Sequence, residues 1–198
     1  MTAELDENDD IQGGSQKVEP IRKIRDIKAI KALIKDSPRN STLFTLGINT
    51  NLTPTELVHI KVGQIRNVNV GQLLTVTDEK TGKSRGVTLN RIATQSIKSL
   101  LDSAEYDDFD YLFRSQRGRL IVPSVHRLVA KWCDAVNLKG NFGSHTLRKT
   151  WGYHQHFAFG VELSKLAQYF NHASPKQTKE YLCITDAEED KDIFLNEL

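Results

Sequence analysis

The sequence predicts a mainly α-helical domain with one small antiparallel β-sheet, an α+β fold class. Three observations predict it. Isoleucine, leucine and valine recur at three- and four-residue spacing in most segments, the period of an amphipathic helix. Proline follows a capping residue at Thr53-Pro54 and at Ser174-Pro175, where helices characteristically begin. Two short β-prone runs, 73–77 and 86–89, are separated by a polar stretch with one glycine, the pattern of a hairpin. A chain of 198 residues is long enough for one domain with a substantial core.

Taken in order, residues 1–18 are acidic and then rich in Gly, Ser and Gln, without apolar periodicity, and are expected to form a disordered arm. The folded domain is expected over 19–184, followed by an acidic tail over 185–198. Ile24, Ile27, Ile30, Leu33 and Ile34 mark the first helix, which should end near Ser37-Pro38. A second helix is expected from Ser41 to about Gly47. Thr53 can cap a third, with Pro54 at its first position and Glu56 completing a capping box. After the hairpin, whose tip is basic, Arg91 to Leu101 reads as helix and 102–110 as an acidic loop. Pro123 opens a helix carrying Val125, Leu128, Val129, Trp132, Cys133 and Val136. Further helices are expected from His145 to about Phe159, weakened at Gly152, from Val161 to Phe170, and from Ser174-Pro175 to Leu182.

Charge is distributed unevenly. The whole chain carries only +2, but residues 1–10 hold five acids and no base, and 185–198 hold six acids and one base. Without these ends, 26 basic and 14 acidic side chains remain, a body of +12 that suits a polyanionic partner such as DNA. The longest apolar runs are far too short to span a membrane, and the acidic start lacks the basic and apolar regions of a secretory signal. Cys133 and Cys183, the two cysteines, read as buried hydrophobes in a reducing compartment.

Several residues could carry chemistry. His145 and Arg148 stand three apart on a helix and project from one face, a pairing suited to a phosphate oxygen. His172 precedes the last helix, Tyr181 lies near its end, and Lys80 stands on the hairpin. Each alone is an ordinary surface or structural residue. In this order and in these contexts they resemble the tyrosine recombinase (phage integrase) family. Lys80-Thr81-Gly82-Lys83-Ser84-Arg85-Gly86-Val87-Thr88-Leu89 resembles its lysine hairpin, and Gly143-Ser144-His145-Thr146-Leu147-Arg148-Lys149-Thr150 its central box. Phe170-Asn171-His172-Ala173-Ser174 and Gln177-Thr178-Lys179-Glu180-Tyr181 resemble its last two segments, with Asn171 where glycine is usual. The resemblance covers roughly residues 20–184.

The resemblance implies a recombinase catalytic-domain fold and site-specific recombination or integration of double-stranded DNA, with no metal and no cofactor. Tyr181 would attack a phosphodiester to give a 3′-phosphotyrosyl link. Arg148 would hold the non-bridging oxygens, Lys80 would protonate the leaving 5′ oxygen, and His145 and His172 would move protons and bind phosphate. Lys83, Arg85 and Lys149 are the candidate DNA-binding cations. Self-association or other recombinase subunits on DNA, a prokaryotic or phage origin, and a cytoplasmic, nucleoid-associated location are also implied. The family's core-binding domain has no counterpart in the short stretch before the matched region, which fits a short recombinase or a fragment. One element departs from the pattern: where the family places an arginine before the Thr55-Glu56-Leu57 segment, this chain has Thr53. Threonine can cap a helix but supplies no bidentate cation. The alternative is therefore a catalytically impaired DNA-binding or regulatory module.

Other chemistries fit poorly. Gly82-Lys83-Ser84 lacks the upstream glycine of a phosphate-binding loop, since position 77 is Thr77. In His154-Gln155-His156 the histidines face different sides of a helix, with no cysteine or carboxylate cluster beside them, so no metal site is expected. Trp132, Trp151 and Phe157 read as core, and Asn49 and Asn51 as turn residues.

The basic body generates a first prediction. Binding to duplex DNA should weaken by orders of magnitude between low and physiological salt, as phosphate contacts exchange with counterions. Titrations across a salt series that show no binding at low salt, or no slope, would remove DNA as the partner.

Overall fold

A computed structural model describes residues 17–77, 82, 84–116 and 118–189. The order of elements is α1 (Ile24–Leu33), α2 (Pro38–Asn49), α3 (Pro54–His59), β1 (Leu73–Thr77), β2 (Ser84–Thr88), α4 (Arg91–Leu101), β3 (Arg114–Ser115), β4 (Gly118–Arg119), α5 (Val122–Ala135), α6 (Thr146–Phe157), α7 (Leu163–Phe170), α8 (Pro175–Tyr181) and α9 (Asp186–Glu189). β1 and β2 pair antiparallel, with Leu73 opposite Thr88 and Thr77 opposite Ser84. A second two-stranded ladder, β3 with β4, joins the single sheet that the sequence predicts.

Local chemistry sets most of the boundaries. Thr53 caps α3 as expected: its hydroxyl accepts the Glu56 amide at 3.1 Å, and the Glu56 carboxylate accepts the Thr53 amide at 2.7 Å. Asn90 caps α4 and Ser174 caps α8 by accepting the Ala93 and Gln177 amides. α2 begins earlier than its apolar pattern suggests, because Pro38 pre-sets the backbone angle of the first helical turn. α7 ends on Asn171 in the left-handed region (φ 58°), a conformation that asparagine tolerates better than most residues. This accounts for Asn171 standing where glycine is usual.

Two hydrophobic clusters form the interior. The larger gathers side chains from α1 to α5, including Phe44, Phe113 and Trp132, and takes Leu147 from α6. The smaller is built from Tyr153, Leu166, Phe170, Leu182 and Ile184, with Trp151, Phe157 and Tyr181 packed against it. α6 lies between them. At both ends the folded body reaches beyond the expected 19–184. Val18 is buried, and Glu188 in α9 accepts hydrogen bonds from Arg22 and Tyr153. Residues 1–16 and 190–198 of the expected arm and tail lie outside the described residues. Among the described residues no helix is long and apolar enough to cross a membrane.

Gly152, a weak point in the helical pattern, lets α6 approach its neighbours. A Cβ there would stand 2.6 Å from Phe170 Cζ and 2.8 Å from Leu182 Cδ2. Alanine favours a helix over glycine by about 1 kcal/mol. Overpacking against a ring costs about 1–3 kcal/mol, so it should win. Gly152→Ala is therefore expected to lower the urea midpoint and Gly152→Val to lower it further; an unchanged or higher midpoint would show that Phe170 yields freely.

Candidate active site

Four of the five predicted catalytic residues converge. His145 occupies the N-cap position of α6, and Arg148 follows one turn into the helix. Tyr181 comes from the end of α8, and its hydroxyl lies 3.5 Å from His145 Nδ1. His172, just beyond the left-handed cap of α7, places its ring 5.0 Å from that of Tyr181 and stacks on Phe170 at 5.3 Å. The Arg148 guanidinium lies over the same Phe170 ring at 5.1 Å. Phe170 is thus the apolar floor shared by Arg148, His172 and Tyr181. The fifth residue, Lys80, and the candidate DNA contact Lys83 lie outside the described residues.

The histidine at the centre is held neutral. Burial, and then the positive charge of Arg148, push His172 down to about 4. Its Nδ1 pairs with the hydroxyl of Thr178, a fully buried residue, at 2.9 Å. Arg148 retains hydrogen-bonding capacity: its Nε is buried and has no partner among the described residues. An arginine with an unused donor beside two imidazoles and a phenol can bind an oxyanion and move a proton.

Two of the three candidate DNA-binding cations have other positions. Lys149 does not reach a surface: it is 1% exposed, and its ammonium turns inward to the Val18 carbonyl at 2.9 Å and the Tyr181 ring at 4.7 Å. The expectation that it contacts DNA is therefore corrected. The helix explains why, because Lys149 falls between buried Gly152 and Tyr153 around α6, while Arg148 falls at the edge of that stripe, one turn from Gly152. Arg85 clamps the hairpin to α3. Its fork donates to both Glu56 oxygens, at 2.8 and 2.6 Å, and to the side chain and carbonyl of Asn51 at 2.8 and 3.1 Å. About a third of its side chain stays exposed. Burial alone would raise the Glu56 carboxyl, but the Arg85 fork, the Thr53 amide and the charges of Arg85 and Arg148 hold it below the usual range. Glu56 thus connects the Thr53 cap with both arginines. Asn51, which reads as a turn residue, also donates to the Tyr169 carbonyl at 2.9 Å and ties β2 to α7.

His154 and His156 each donate a ring N–H to a backbone carbonyl, those of Ile21 and Val161, both at 2.9 Å. They serve as structural links. Sequence reasoning missed the Glu56–Arg85 pair, the Thr178–His172 contact and the buried position of Lys149. For Lys149 a signal existed, since Thr146, Lys149, Thr150 and Tyr153 recur at three- and four-residue spacing along one buried stripe.

Known proteins match this chain over most of its length. A model of the phage integrase family matches residues 23–188. A protein of Bacillus subtilis (strain 168) described as a probable integrase/recombinase, YoeC, is 30% identical over 172 residues, covering 85% of this chain and 91% of YoeC. The crystal structure of XerA recombinase superposes with a TM-score of 0.72 at 20% identity, over 89% of this chain and 65% of that one. XerH site-specific recombinase, bound to a palindromic difH substrate in a post-cleavage complex, gives 0.69 at 18% identity, over 88% of this chain and 52% of its own. The chain therefore spans two thirds or less of these solved recombinases.

The neutral His172 sets a pH dependence. Its folded-state value lies below that of an unfolded histidine, so the unfolded chain binds the extra proton first as pH falls. Stability should decline from about pH 6.5 toward pH 4. Melting curves of the wild type and His172→Gln between pH 4 and 7 check this: the variant should show a shallower slope in that window, and parallel slopes would contradict it.

Proposed function

The chain belongs to the phage integrase family, and from that premise we propose that it breaks and rejoins duplex DNA with Tyr181 as the nucleophile. The observation that carries this reading is the convergence of Arg148, His172 and Tyr181 from three separate stretches of chain on Phe170, with His145 3.5 Å from the Tyr181 hydroxyl. In the proposed step, Tyr181 Oη bonds to the phosphorus of a DNA phosphodiester while its proton passes to His145. The bond from phosphorus to the 5′ oxygen breaks, and the departing oxygen takes a proton from Lys80. The tyrosyl ester retains the bond energy, and attack by a second 5′-hydroxyl reverses the sequence.

Each residue type suits its part. A phenol ionises near pH 10, so attack at neutral pH needs an adjacent base or cation. Arg148 meets the charge that develops on the non-bridging oxygens, where a preorganised donor contributes most. His172, neutral at pH 7, offers a hydrogen bond to phosphate without adding charge. The exposed part of Arg85 and the basic body supply contacts to the DNA backbone. Double-stranded DNA and further recombinase subunits are the partners this reading assigns, in a prokaryotic cytoplasm beside nucleoid DNA.

A second reading, an impaired enzyme that binds DNA and cuts slowly, is favoured by one observation. Thr53 spends both its hydroxyl and its amide on the capping box, and Glu56 is engaged by Arg85. Loss of one transition-state donor typically costs about 10²–10³ in rate.

The two readings separate on a nicked duplex from which a covalent intermediate cannot religate, offered as a pool of randomised sequence. Tyr181→Phe should abolish covalent adduct in every background. Thr53→Arg should raise adduct yield by about 10²-fold where the vacancy is limiting. Loss of the cap costs only about 1 kcal/mol, so the variant should remain folded. A folded, DNA-binding Thr53→Arg protein with unchanged adduct yield would show that the arginine vacancy does not limit the reaction.

A further inference from the structure

Lys149 adjoins Arg148 in sequence, yet the reaction above gives it no part. An ammonium withdrawn from water costs several kcal/mol unless its surroundings compensate. The groups around it include the Val18 carbonyl, 2.9 Å from Nζ, and the face of the Tyr181 ring, 4.7 Å away. The carbonyl is a fixed seat. The strap that carries it is pinned just beyond Val18, by the Glu19 amide on the Asn141 carbonyl at 2.8 Å, the Ile21 amide on Thr150 Oγ1 at 2.8 Å, and Arg22 on the Cys183 carbonyl at 3.0 Å.

We infer that Lys149 is a positioning residue for Tyr181, holding the ring by its face from the protein interior and compensating the negative charge that forms on the phenol oxygen. This rests on the reading of Tyr181 as the nucleophile. The described groups that face or adjoin the side chain include His145 from the start of α6 and His172 and Phe170 from the end of α7, while the Cys183 thiol lies against the Tyr181 backbone carbonyl. Arg148 acts on His172. Lys149 is a cation set against the ring itself. Attraction between an ammonium and an aromatic face grows as the ring gains negative charge, so the same contact that orients the phenol also favours its loss of a proton. Because Lys149 is buried, removing its charge should leave the DNA-facing surface unchanged.

The test compares Lys149→Arg, Lys149→Met and Lys149→Gln with the wild type. Glutamine keeps a donor for the Val18 carbonyl without a charge, and so serves where methionine leaves that carbonyl only the weak Cys183 thiol donor. Titration of the Tyr181 phenol is followed by NMR in protein carrying labelled tyrosine, its signal identified by loss in Tyr181→Phe. A neighbouring opposite charge moves a titration by about 1–3 units, so the midpoint should rise by that range in the two uncharged variants and hold in Lys149→Arg. Adduct yield at pH 7 should fall by about tenfold per unit in the uncharged variants and recover as pH is raised, with DNA affinity at fixed salt unchanged. Folded Lys149→Gln protein in which Tyr181 titrates as in the wild type would overturn the inference. So would equal losses in Lys149→Arg and Lys149→Gln with an unmoved pH profile, which would indicate packing alone. A wild type that forms no adduct would count against the nucleophile reading, while the phenol titration would still decide the action of Lys149.

Discussion

The close approach of α6 to its two neighbours is the constraint from which the site follows. On one side Leu147 packs into the space left by Gly47 of α2, where a Cβ would come within 2.5 Å of Leu147 Cδ1. On the other, Gly152 admits Phe170 and Leu182. With both sides fixed, the helix has little freedom to rotate or slide, because packed interiors do not deform continuously. His145, Arg148 and Lys149 therefore inherit set directions. The pair His145 and Arg148 is turned toward Phe170 and Tyr181, and Lys149 toward the strap at Val18.

What could be read in the sequence was what local chemistry decides. The Thr53 capping box, the proline helix starts and the i, i+3 relation of His145 and Arg148 depend on residues a few positions apart, and each occurs as the spacing predicts. The order Lys80, His145, Arg148, His172, Tyr181 was legible for the same reason, since each segment carries its own local pattern. Pairings across the chain were not. Arg85 meets Glu56 at a separation of 29 residues, and Lys149 meets Val18 at a separation of 131. No periodicity reports such contacts, because they depend on how helices are stacked. The expectation that Lys149 touches DNA came from its charge, whereas the stripe it shares with Thr146, Thr150 and Tyr153 decides its direction.

Charge in and around the site is managed in three different ways. Glu56, largely buried, is kept ionised by the Arg85 fork, with the Thr53 amide and Arg148 adding to it. His172 is kept neutral by burial and by Arg148. Lys149 is accommodated by a carbonyl and an aromatic face. Arg148 acts on both Glu56 and His172, so its single charge supports a carboxylate on one side and suppresses an imidazolium on the other. A phosphate entering beside Arg148 would weaken that suppression, since an anion favours the protonated histidine. The proton affinity of His172 would then rise as substrate binds.

The two ends of the folded body interlock around Tyr181. Arg22 of the strap donates to Glu19, to Glu188 in α9 and to the Cys183 carbonyl, two residues beyond the tyrosine. Tyr153 of α6 donates to the same Glu188 oxygen at 3.0 Å, and the Cys183 thiol approaches the Val18 carbonyl that seats Lys149. An isolated turn of helix such as α9 has little stability of its own. Its position is set by this network, and the network in turn restrains the segment that carries Tyr181. Tyr181 is thus held from both ends of the described chain, and a shift of the strap would be felt at the phenol through Val18 and Lys149 without any change at Arg148 or His172.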